Sequence, residues 1–236
     1  MKKYHNIFIL TGAGISAESG LTTFRSSNGL WNNHRVEDVA SIEGFERNPD
    51  LVHDFYNNLK VEIQSVKPNS AHEAITVLQQ KYPAEINVIT QNVDILHEKA
   101  GNENVYHIHG QANQAVCLNC GSVLETWSDV DTQTECPNCN VSAMMKPNIV
   151  FFGENLLCMD KVETLLRKCD LFLSIGTSGV VFPAAGFVQT AKYYGAETIE
   201  FTLDTTANNH LFDKHIYGKA GETFPKFVEE LLKSIG

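Results

Sequence analysis

The chain has 236 residues, with 18 lysines and arginines against 28 aspartates and glutamates, so its formal net charge is −10. Hydrophobic residues make up 43% and charged residues 19% of the chain, which is typical of globular domains and excludes a disordered chain or a fibrous repeat. The acidic balance also argues against direct binding of nucleic acid, because such a surface would be basic.

The sequence shows no pattern typical of export or of membrane insertion. An apolar run at residues 7–10 follows two lysines, but it is shorter than the roughly 7–15 residues of a signal-peptide core. No apolar stretch approaches the roughly 20 residues that span a bilayer. We therefore expect a cytoplasmic protein without a membrane partner, and we expect a monomer.

Short apolar runs alternate with stretches of helical period along the chain. Buried strands are predicted at residues 7–10, 86–89, 171–175 and 198–201. Amphipathic helices are predicted at residues 70–81, 159–168, 187–194 and 225–235. This alternation favours an α/β fold with a Rossmann-like parallel sheet and helices on both of its faces.

Two segments interrupt the alternation. Residues 36–68 are charged and mostly helical in pattern, whereas residues 113–147 hold four cysteines and almost no apolar periodicity. We interpret both as insertions into one α/β domain. The prediction is a discontinuous large domain, made of residues 1–35, 69–112 and 148–236, and a small domain made of the two inserted modules.

A glycine-rich turn follows the first predicted strand. Gly12, Ala13, Gly14 and Ala17 fit the pattern G-x-G-x-x-A of dinucleotide-binding turns. The glycines allow a tight turn, and a helix that begins near Ser16 would direct its amide groups toward a phosphate. An ordinary strand–turn–helix connection without a ligand also explains these residues.

The residues after this turn do not fit an ordinary dehydrogenase. A simple dinucleotide-binding unit has an acidic residue on a second strand about 20 residues further on, but residues 21–31 are neither helical nor strand-like in pattern. We interpret this polar stretch, with Phe24 and Arg25, as a loop that covers a dinucleotide. The alternative is that Phe24 belongs to the core and Arg25 to the surface.

Four of the six cysteines form two C-x-x-C pairs separated by residues 121–135: Cys117, Cys120, Cys136 and Cys139. This spacing is typical of a zinc ribbon, in which four thiolates leave the metal no open position, so we predict one structural Zn²⁺. A thioredoxin-like redox motif fits two copies in a loop-rich insertion poorly. The remaining Cys158 and Cys169 are predicted to be buried thiols.

Polar side chains follow two of the apolar runs. Gln91, Asn92 and Asp94 come after the second predicted strand, and His109 follows a short apolar pair. Because ligands bind beyond the carboxyl ends of parallel strands, these residues are candidates for one site. Asp94 taken alone is better explained as a helix cap. His109 is a candidate general base, since histidine titrates near neutrality.

Seven segments occur in order along nearly the whole chain: GAGISAESG at residues 12–20, TQNVD at 90–94, HIHG at 107–110, the two cysteine pairs, FGE at 152–154 and GTS at 176–178. Together they resemble the sirtuin family of NAD-dependent protein-lysine deacylases, and most of all its bacterial CobB-type members. The resemblance implies NAD in a cleft between a Rossmann-type domain and a small domain of zinc ribbon and helical module. The implied products are nicotinamide, O-acyl-ADP-ribose and free lysine.

The resemblance also implies roles for single residues. Catalysis is implied for His109, as the base, and for Asn92. Contacts with NAD are implied for Gly12, Ala13, Gly14, Ala17, Glu18, Phe24, Arg25, Gln91, Asn92, Asp94, Gly176, Thr177, Ser178, Thr202 and Ala220. Contacts with an acyl-lysine protein or peptide are implied for Ala40, Tyr56, Leu59, Val150, Phe151, Phe152, Gly153 and Glu154, the last five matching a strand that pairs with the substrate backbone. Because a neutral imidazole is required, activity is expected to fall below about pH 6.5.

The sequence departs from the family pattern in the acyl pocket and at the adenosine ribose. Family members that remove succinyl groups use a Tyr-x-x-Arg pair, but Leu59 stands where the arginine would follow Tyr56. Ala40 matches the small residue that widens the acyl pocket in those family members. The resemblance therefore implies removal of acetyl and longer neutral acyl groups, with succinyl disfavoured. The alternative is that Lys60 supplies the charge. Thr202 replaces a frequent asparagine, which weakens one expected NAD contact.

Three other functions compete with deacylation. A sirtuin-like protein ADP-ribosyltransferase would use the same site but modify a side chain. A non-catalytic zinc-ribbon binding module would have no need of His109 or of the polar residues 91–94. An ordinary Rossmann dehydrogenase is the least consistent of the three, because of residues 21–31.

Overall fold

The computed structural model describes residues 3–23 and 30–235. Its strands are β1 (Asn6–Thr11), β2 (Leu30–Trp31), β3 (His34–Arg35), β4 (Glu85–Thr90), β5 (Val105–His107), β6 (Gly110–Cys117), β7 (Val123–Glu125), β8 (Met145–Ile149), β9 (Leu171–Ile175), β10 (Glu197–Thr202) and β11 (Lys214–Tyr217). Its α-helices are α1 (Ala13–Ser16), α2 (Val36–Val39), α3 (Ile42–Arg47), α4 (Pro49–Ser65), α5 (Ser70–Lys81), α6 (Leu96–Lys99), α7 (Met159–Lys168), α8 (Phe187–Tyr193) and α9 (Ala220–Lys233).

Six strands form a parallel sheet in the order β11-β10-β9-β1-β4-β5. The four predicted strands are β1, β4, β9 and β10, and each is confirmed. The edge strand β11 was not predicted, because three of its four residues are exposed and give no apolar run. The α/β class and the parallel sheet are confirmed.

Side chains alternate between the two faces of this sheet, and each face is covered by helices. On β1, Ile7 and Ile9 pack on the face that α5 and α9 cover, whereas Phe8 and Leu10 pack on the face of α7 and α8. All four side chains are buried, and each stabilises the fold by about 1.5–3 kcal/mol relative to exposure. The result is a three-layer sandwich whose strands are apolar on both faces.

Helix α9 begins at Ala220, five residues before the predicted start at Pro225. The prediction rested on the helical period of residues 225–235, which does not fix where the helix begins. Inside α9, Pro225 has no amide hydrogen for the carbonyl of Gly221, and that carbonyl instead accepts a hydrogen bond from Ser70 Oγ at 2.7 Å. Of the helices in the described ranges, none has both the length and the apolarity needed to cross a bilayer.

The two inserted segments contact each other through α4. Helices α2, α3 and α4 span the first, and the antiparallel strands β7-β6-β8 surround the four cysteines of the second. The Asn57 side chain exchanges two hydrogen bonds with the backbone of Val130, at 3.0 and 3.1 Å, and Lys60 Nζ donates to the carbonyl of Ser128 at 2.5 Å. The division into a large and a small domain at the residues given above stays a prediction.

Candidate functional site

A pocket of about 1030 Å³ opens at the carboxyl ends of the central strands and extends to α4. This volume is at the upper end of the range of about 300–1000 Å³ usual for small-molecule sites. The predicted NAD and substrate contacts within the described residues all line it: Gly12, Ala13, Gly14, Ala17, Glu18, Ala40, Tyr56, Leu59, Gln91, Asn92, Asp94, His109, Val150, Phe151, Phe152, Gly153, Glu154, Gly176, Thr177, Ser178, Thr202 and Ala220. Phe24 and Arg25 lie outside the described residues.

The pocket lies where the strand order reverses, next to β1. The turn after β1 contacts the turn after β9: the amide of Gly12 donates to Ile175 O at 3.1 Å, and that of Gly14 to Gly176 O at 2.9 Å. A Cβ atom on Gly14 would lie 2.6 Å from Gly176 Cα, so the turns fit together only without side chains. Helix α1 begins at Ala13, before the predicted start. The glycines are therefore required by contact between two turns at the point where α/β folds bind ligands.

Asp94 organises the polar end of the pocket. Its buried carboxylate accepts hydrogen bonds from the Leu96 amide and from Ser16 Oγ, both at 2.9 Å. Ser16 Oγ in turn accepts from Asn92 Nδ2 at 3.1 Å. Asp94 therefore binds the first amide of α6, but the N-cap residue is Ile95, so the cap interpretation is wrong by one position. Asp94 also fixes the Asn92 side chain beside the pocket, through Ser16.

His109 is held as a neutral base. Its Nδ1 lies 2.9 Å from the main-chain oxygen of Gln91, and a carbonyl only accepts, so Nδ1 carries the proton and Nε2 the lone pair. Nε2 has no hydrogen-bond partner among the residues that the structure describes. Burial lowers the pKa of His109, although the Gln91 carbonyl opposes the shift. At neutral pH this imidazole can accept a proton at Nε2.

One face of α4 forms the other end of the pocket. Tyr56, Leu59 and Ile63 line it with helical spacing, and the Phe151 ring stacks on Tyr56 at 6.3 Å. The Tyr56 hydroxyl is buried and has no hydrogen-bond partner in the described part of the chain. Burial raises the pKa of Tyr56, so its phenol stays protonated and can donate to a ligand. Lys60 does not line the pocket, because its ammonium group is bound to Ser128.

Residues 150–154 follow β8 without continuing it as a regular strand. Two amides of this segment donate to other parts of the main chain: Val150 to His109 O at 2.9 Å and Phe152 to Ala40 O at 2.8 Å. The Glu154 carboxylate accepts from the Phe151 amide at 2.7 Å and from Lys146 Nζ at 3.1 Å. Glu154 therefore shapes this segment internally, and the contacts of residues 150–154 with a substrate stay a prediction.

Two predicted NAD contacts make bonds within the protein. Thr202 Oγ1 donates to Asp204 O at 2.8 Å, which leaves its lone pairs for a ligand. The Glu18 carboxylate accepts from the Gly221 amide at 2.8 Å, where a negative charge favours the start of α9. A ligand hydroxyl would therefore donate to Thr202, and Glu18 positions the start of α9 next to the pocket.

The sequence interpretation missed part of the lining. The missed residues are Ser16, Leu21, Thr22, Thr23, Trp31, Asn32, Ile63, Val93, Ile149, Leu156, Val181, Phe182, Pro183, Phe201, Leu203, Asp204, Thr205, Thr206, Gly218 and Lys219. Most belong to loops, which have no periodic pattern. Ser16 had a signal, since it lies inside the glycine-rich motif, and Ile63 continues the helical spacing of Tyr56 and Leu59.

The four paired cysteines form one cluster. Their Sγ atoms lie within 4.8 Å of one another, with Cys117 to Cys139 at 3.7 Å and Cys120 to Cys136 at 3.8 Å. Four sulfurs about 2.3 Å from a zinc ion would form a tetrahedron with edges of about 3.8 Å, whereas a disulfide needs about 2.05 Å. The donor set fits one Zn²⁺ with four protein ligands.

The prediction of a buried thiol is confirmed for Cys169 and wrong for Cys158. Cys169 is buried, and burial raises the pKa of its thiol to about 12. Cys158 is exposed instead, because it precedes α7 in a left-handed conformation with φ 58°. Burial was expected because free cysteine is among the most buried residue types, but the Cys158 side chain is exposed to solvent.

A parallel α/β sheet with a large pocket at its strand ends and a glycine-rich turn after its first strand is typical of Rossmann-like proteins that bind a dinucleotide. This chain has in addition a four-cysteine cluster that could hold a metal. The Sir2 family model matches residues 12–183. A Vibrio parahaemolyticus protein named NAD-dependent protein deacylase is 50% identical over 231 residues, which cover 97% of this chain and 96% of that protein. The chain belongs to the Sir2 family.

Two solved structures share this fold over nearly the whole chain. A complex of a Sir2 homologue with NAD has a TM-score of 0.90 and 34% identity, covering 99% of this chain and 91% of that one. Sir2Af2 bound to a myristoylated histone peptide has a TM-score of 0.76 and 34% identity, covering 99% and 94%. The predicted sirtuin family, Rossmann-like fold and enzyme class of NAD-dependent protein deacylase are confirmed. Two of the alternative interpretations, an ordinary dehydrogenase and a non-catalytic binding module, are therefore wrong.

Proposed function

We propose that this sirtuin removes acetyl and longer neutral acyl groups from protein lysines, with His109 as the general base. The observation that carries the proposal is the hydrogen bond from His109 Nδ1 to the Gln91 carbonyl. It leaves the Nε2 lone pair on a residue that lines the pocket. A base of this kind contributes about 10²–10⁴-fold to a reaction that needs proton transfer.

The chain's own residues fit NAD along the pocket. When bound, NAD supplies an electrophilic ribose carbon that carries nicotinamide as leaving group, and a ribose hydroxyl that receives the acyl group. We assign Gln91, Asn92 and Asp94 to the nicotinamide end, where the side chains of Asn92 and Asp94 bind Ser16. The adenosine end is assigned to Gly12, Ala13, Gly14, Ala17, Gly176, Thr177, Ser178, Thr202 and Ala220. His109 Nε2 accepts a proton from a hydroxyl held between these two ends.

The acyl group is assigned to the wall formed by α4. Leu59 offers no charge, and Lys60 is bound to Ser128. Among the described lining residues the only lysine or arginine is Lys219, which precedes α9. A succinyl carboxylate would therefore lack a bidentate partner and would lose its hydration without compensation. Neutral chains lose no such interaction, and the Sir2Af2 complex with a myristoylated peptide supports a long acyl chain in this fold.

The experiment is a turnover assay on one lysine peptide carrying an acetyl, butyryl or succinyl group, with and without NAD. Nicotinamide release gives the rate, and the intact peptide mass identifies the product. We expect NAD-dependent loss of acetyl and butyryl mass, and a kcat/KM at least about tenfold lower for succinyl. Efficient removal of succinyl would refute the neutral acyl pocket. A peptide that gains the mass of ADP-ribose, without losing its acyl group, would show a transferase instead.

A further inference from the structure

His107, two residues before His109, is buried at the end of β5 between two oxygen atoms. Its Nδ1 lies 2.9 Å from the main-chain oxygen of Asn92. Its Nε2 lies 2.8 Å from Glu98 Oε1 on α6. Only 7% of the His107 side chain is exposed, so water does not compete strongly for either ring nitrogen.

Both partners of His107 are acceptors. A carbonyl oxygen never donates, and an ionised carboxylate has no proton to give, so each ring nitrogen must carry a hydrogen. The ring is then an imidazolium. Burial alone would raise the pKa of Glu98, but the hydrogen bond and the charge of His107 hold it below its usual range. With Glu98 ionised, its Oε1 accepts, and the hydrogen of this 2.8 Å bond lies on His107 Nε2.

Two histidines thus hold two consecutive carbonyls of the pocket wall. His109 donates to the oxygen of Gln91 and His107 to that of Asn92, each at 2.9 Å. The Asn92 side chain is fixed separately, by its bond to Ser16. The segment that carries Gln91 and Asn92 is therefore fixed from both its main chain and its side chain.

We infer that His107 is a positioning residue for the reaction, kept as an imidazolium by Glu98 so that it holds the Asn92 carbonyl. The inference rests on the proposed roles of His109 and Asn92. A displaced Asn92 would carry the Gln91 carbonyl with it, and that carbonyl sets the tautomer of His109. Loss of the His107 bond therefore reduces the chemical step while leaving the pocket walls in place.

Glu98 is the one carboxylate within hydrogen-bond distance of His107 among the described residues. His97, on the same short helix, is the other titratable group of α6 that acts on it, and burial keeps His97 neutral. His109 is neutral on the neighbouring strand segment. Glu98 is therefore the charged group that His107 Nε2 faces.

The first test measures that charge directly, by NMR of the protein labelled with ¹⁵N in its histidine rings. In the wild type we expect both ring nitrogens of His107 to carry hydrogen, as their two acceptor partners require. In Glu98→Gln we expect one proton to be lost while Nδ1 stays protonated against Asn92. A neutral His107 ring in the wild type overturns the inference. This result is independent of deacylase activity, so failure of the proposed function is recognised separately.

The second test uses two replacements of His107 whose side-chain amides donate hydrogen bonds to different partners. The amide of Asn in His107→Asn occupies the position of Nδ1 and can still reach the Asn92 carbonyl, whereas Gln in His107→Gln reaches toward Glu98. We expect kcat to fall about 10- to 100-fold in His107→Gln, with KM for the acyl peptide little changed, and most of kcat to be restored in His107→Asn. His210→Gln, on an exposed turn, is the control. Equal losses in both variants, or no loss in either, would refute a positioning role.

Discussion

Lys60 Nζ lies 2.5 Å from the main-chain oxygen of Ser128, so the cation next to Leu59 attaches α4 to the cysteine-rich module. The same helix presents Tyr56 and Leu59 to the pocket. The Tyr56 hydroxyl is buried and has no hydrogen-bond partner within the described structure. Neighbouring positions of α4 therefore have separate tasks. The acyl wall around Leu59 stays apolar because the neighbouring ammonium group, that of Lys60, is bound to the carbonyl of Ser128.

Leu59→Arg should convert the acyl wall into one that accepts a carboxylate. A guanidinium one turn from Tyr56 supplies the bidentate partner that a succinyl group needs, and a charge-assisted hydrogen bond contributes about 1.5–3 kcal/mol. We expect the ratio of desuccinylation to deacetylation, measured as kcat/KM on matched peptides, to rise about 10- to 100-fold.

Lys60→Met is the matched control for this change. It removes the charge but keeps an apolar stem, so the ratio of succinyl to acetyl turnover should stay at the wild-type value while thermal stability falls. A selective loss of the residual succinyl activity in Lys60→Met would mean that Lys60 reaches the acyl group after all.

The pH dependence of turnover should report His109. Its neutral form is the active one and burial lowers its pKa, so activity is present above the pKa and lost as pH falls through it. We expect the acid limb of kcat/KM to have its midpoint below about 6.5, the ordinary value for histidine. His109→Ala should lower kcat about 10²–10⁴-fold while its circular dichroism matches the wild type. A midpoint above 6.5 would contradict the buried neutral base.

The sequence predicted the parts of the fold whose pattern is strong. Strands buried on both faces, such as β1 and β9, are continuous apolar runs, and α5 and α7 have the predicted bounds because their apolar faces repeat with helical period. The edge strand β11 lacks such a run. The start of α9 was misplaced because a side chain from another helix, Ser70, satisfies the carbonyl that Pro225 leaves free.

The site was predictable where it is encoded locally. Strand ends with polar residues, a glycine pair and two cysteine pairs each have a recognisable spacing. The positioning contacts are different, because the Lys60 bond to Ser128 and the His107 bond to Glu98 depend on which elements the fold brings together. No spacing along the chain indicates that Lys60 is unavailable or that His107 is charged.

Removal of zinc should inactivate the enzyme through α4. The apolar cluster around the cysteines is small, and two of its five buried residues, Cys117 and Cys136, are themselves metal ligands. Without the metal this module cannot hold Val130 and Ser128 against α4. We expect a strong zinc chelator to abolish turnover while amide exchange in β1 and β9 stays slow, and added Zn²⁺ to restore activity. Chelator already saturated with zinc is the control, and full activity of metal-free protein would contradict the structural role.

His72 should make the fold sensitive to mild acid. Its ring is fully buried on α5, where Nδ1 accepts from the Asn69 amide at 3.3 Å and Nε2 has no hydrogen-bond partner in the described structure. Burial, with a smaller effect of His97, lowers the pKa of His72 to about 3. In the unfolded chain His72 is therefore protonated as the pH falls below about 6.5, whereas in the folded chain it stays neutral down to about pH 3.

This difference gives a slope that urea unfolding can measure. Between about pH 6 and pH 4, His72 should lower the free energy of unfolding by ~1.4 kcal/mol for each unit by which the pH is decreased. Other titrating groups add their own slopes. In His72→Gln, which cannot titrate, we expect the total slope to be smaller by that amount, whatever the absolute stability of the variant. His210→Gln, exposed on the surface, should keep the wild-type slope. If His72→Gln and the wild type lose stability in parallel, then His72 is protonated in the folded protein and its burial does not control the acid sensitivity.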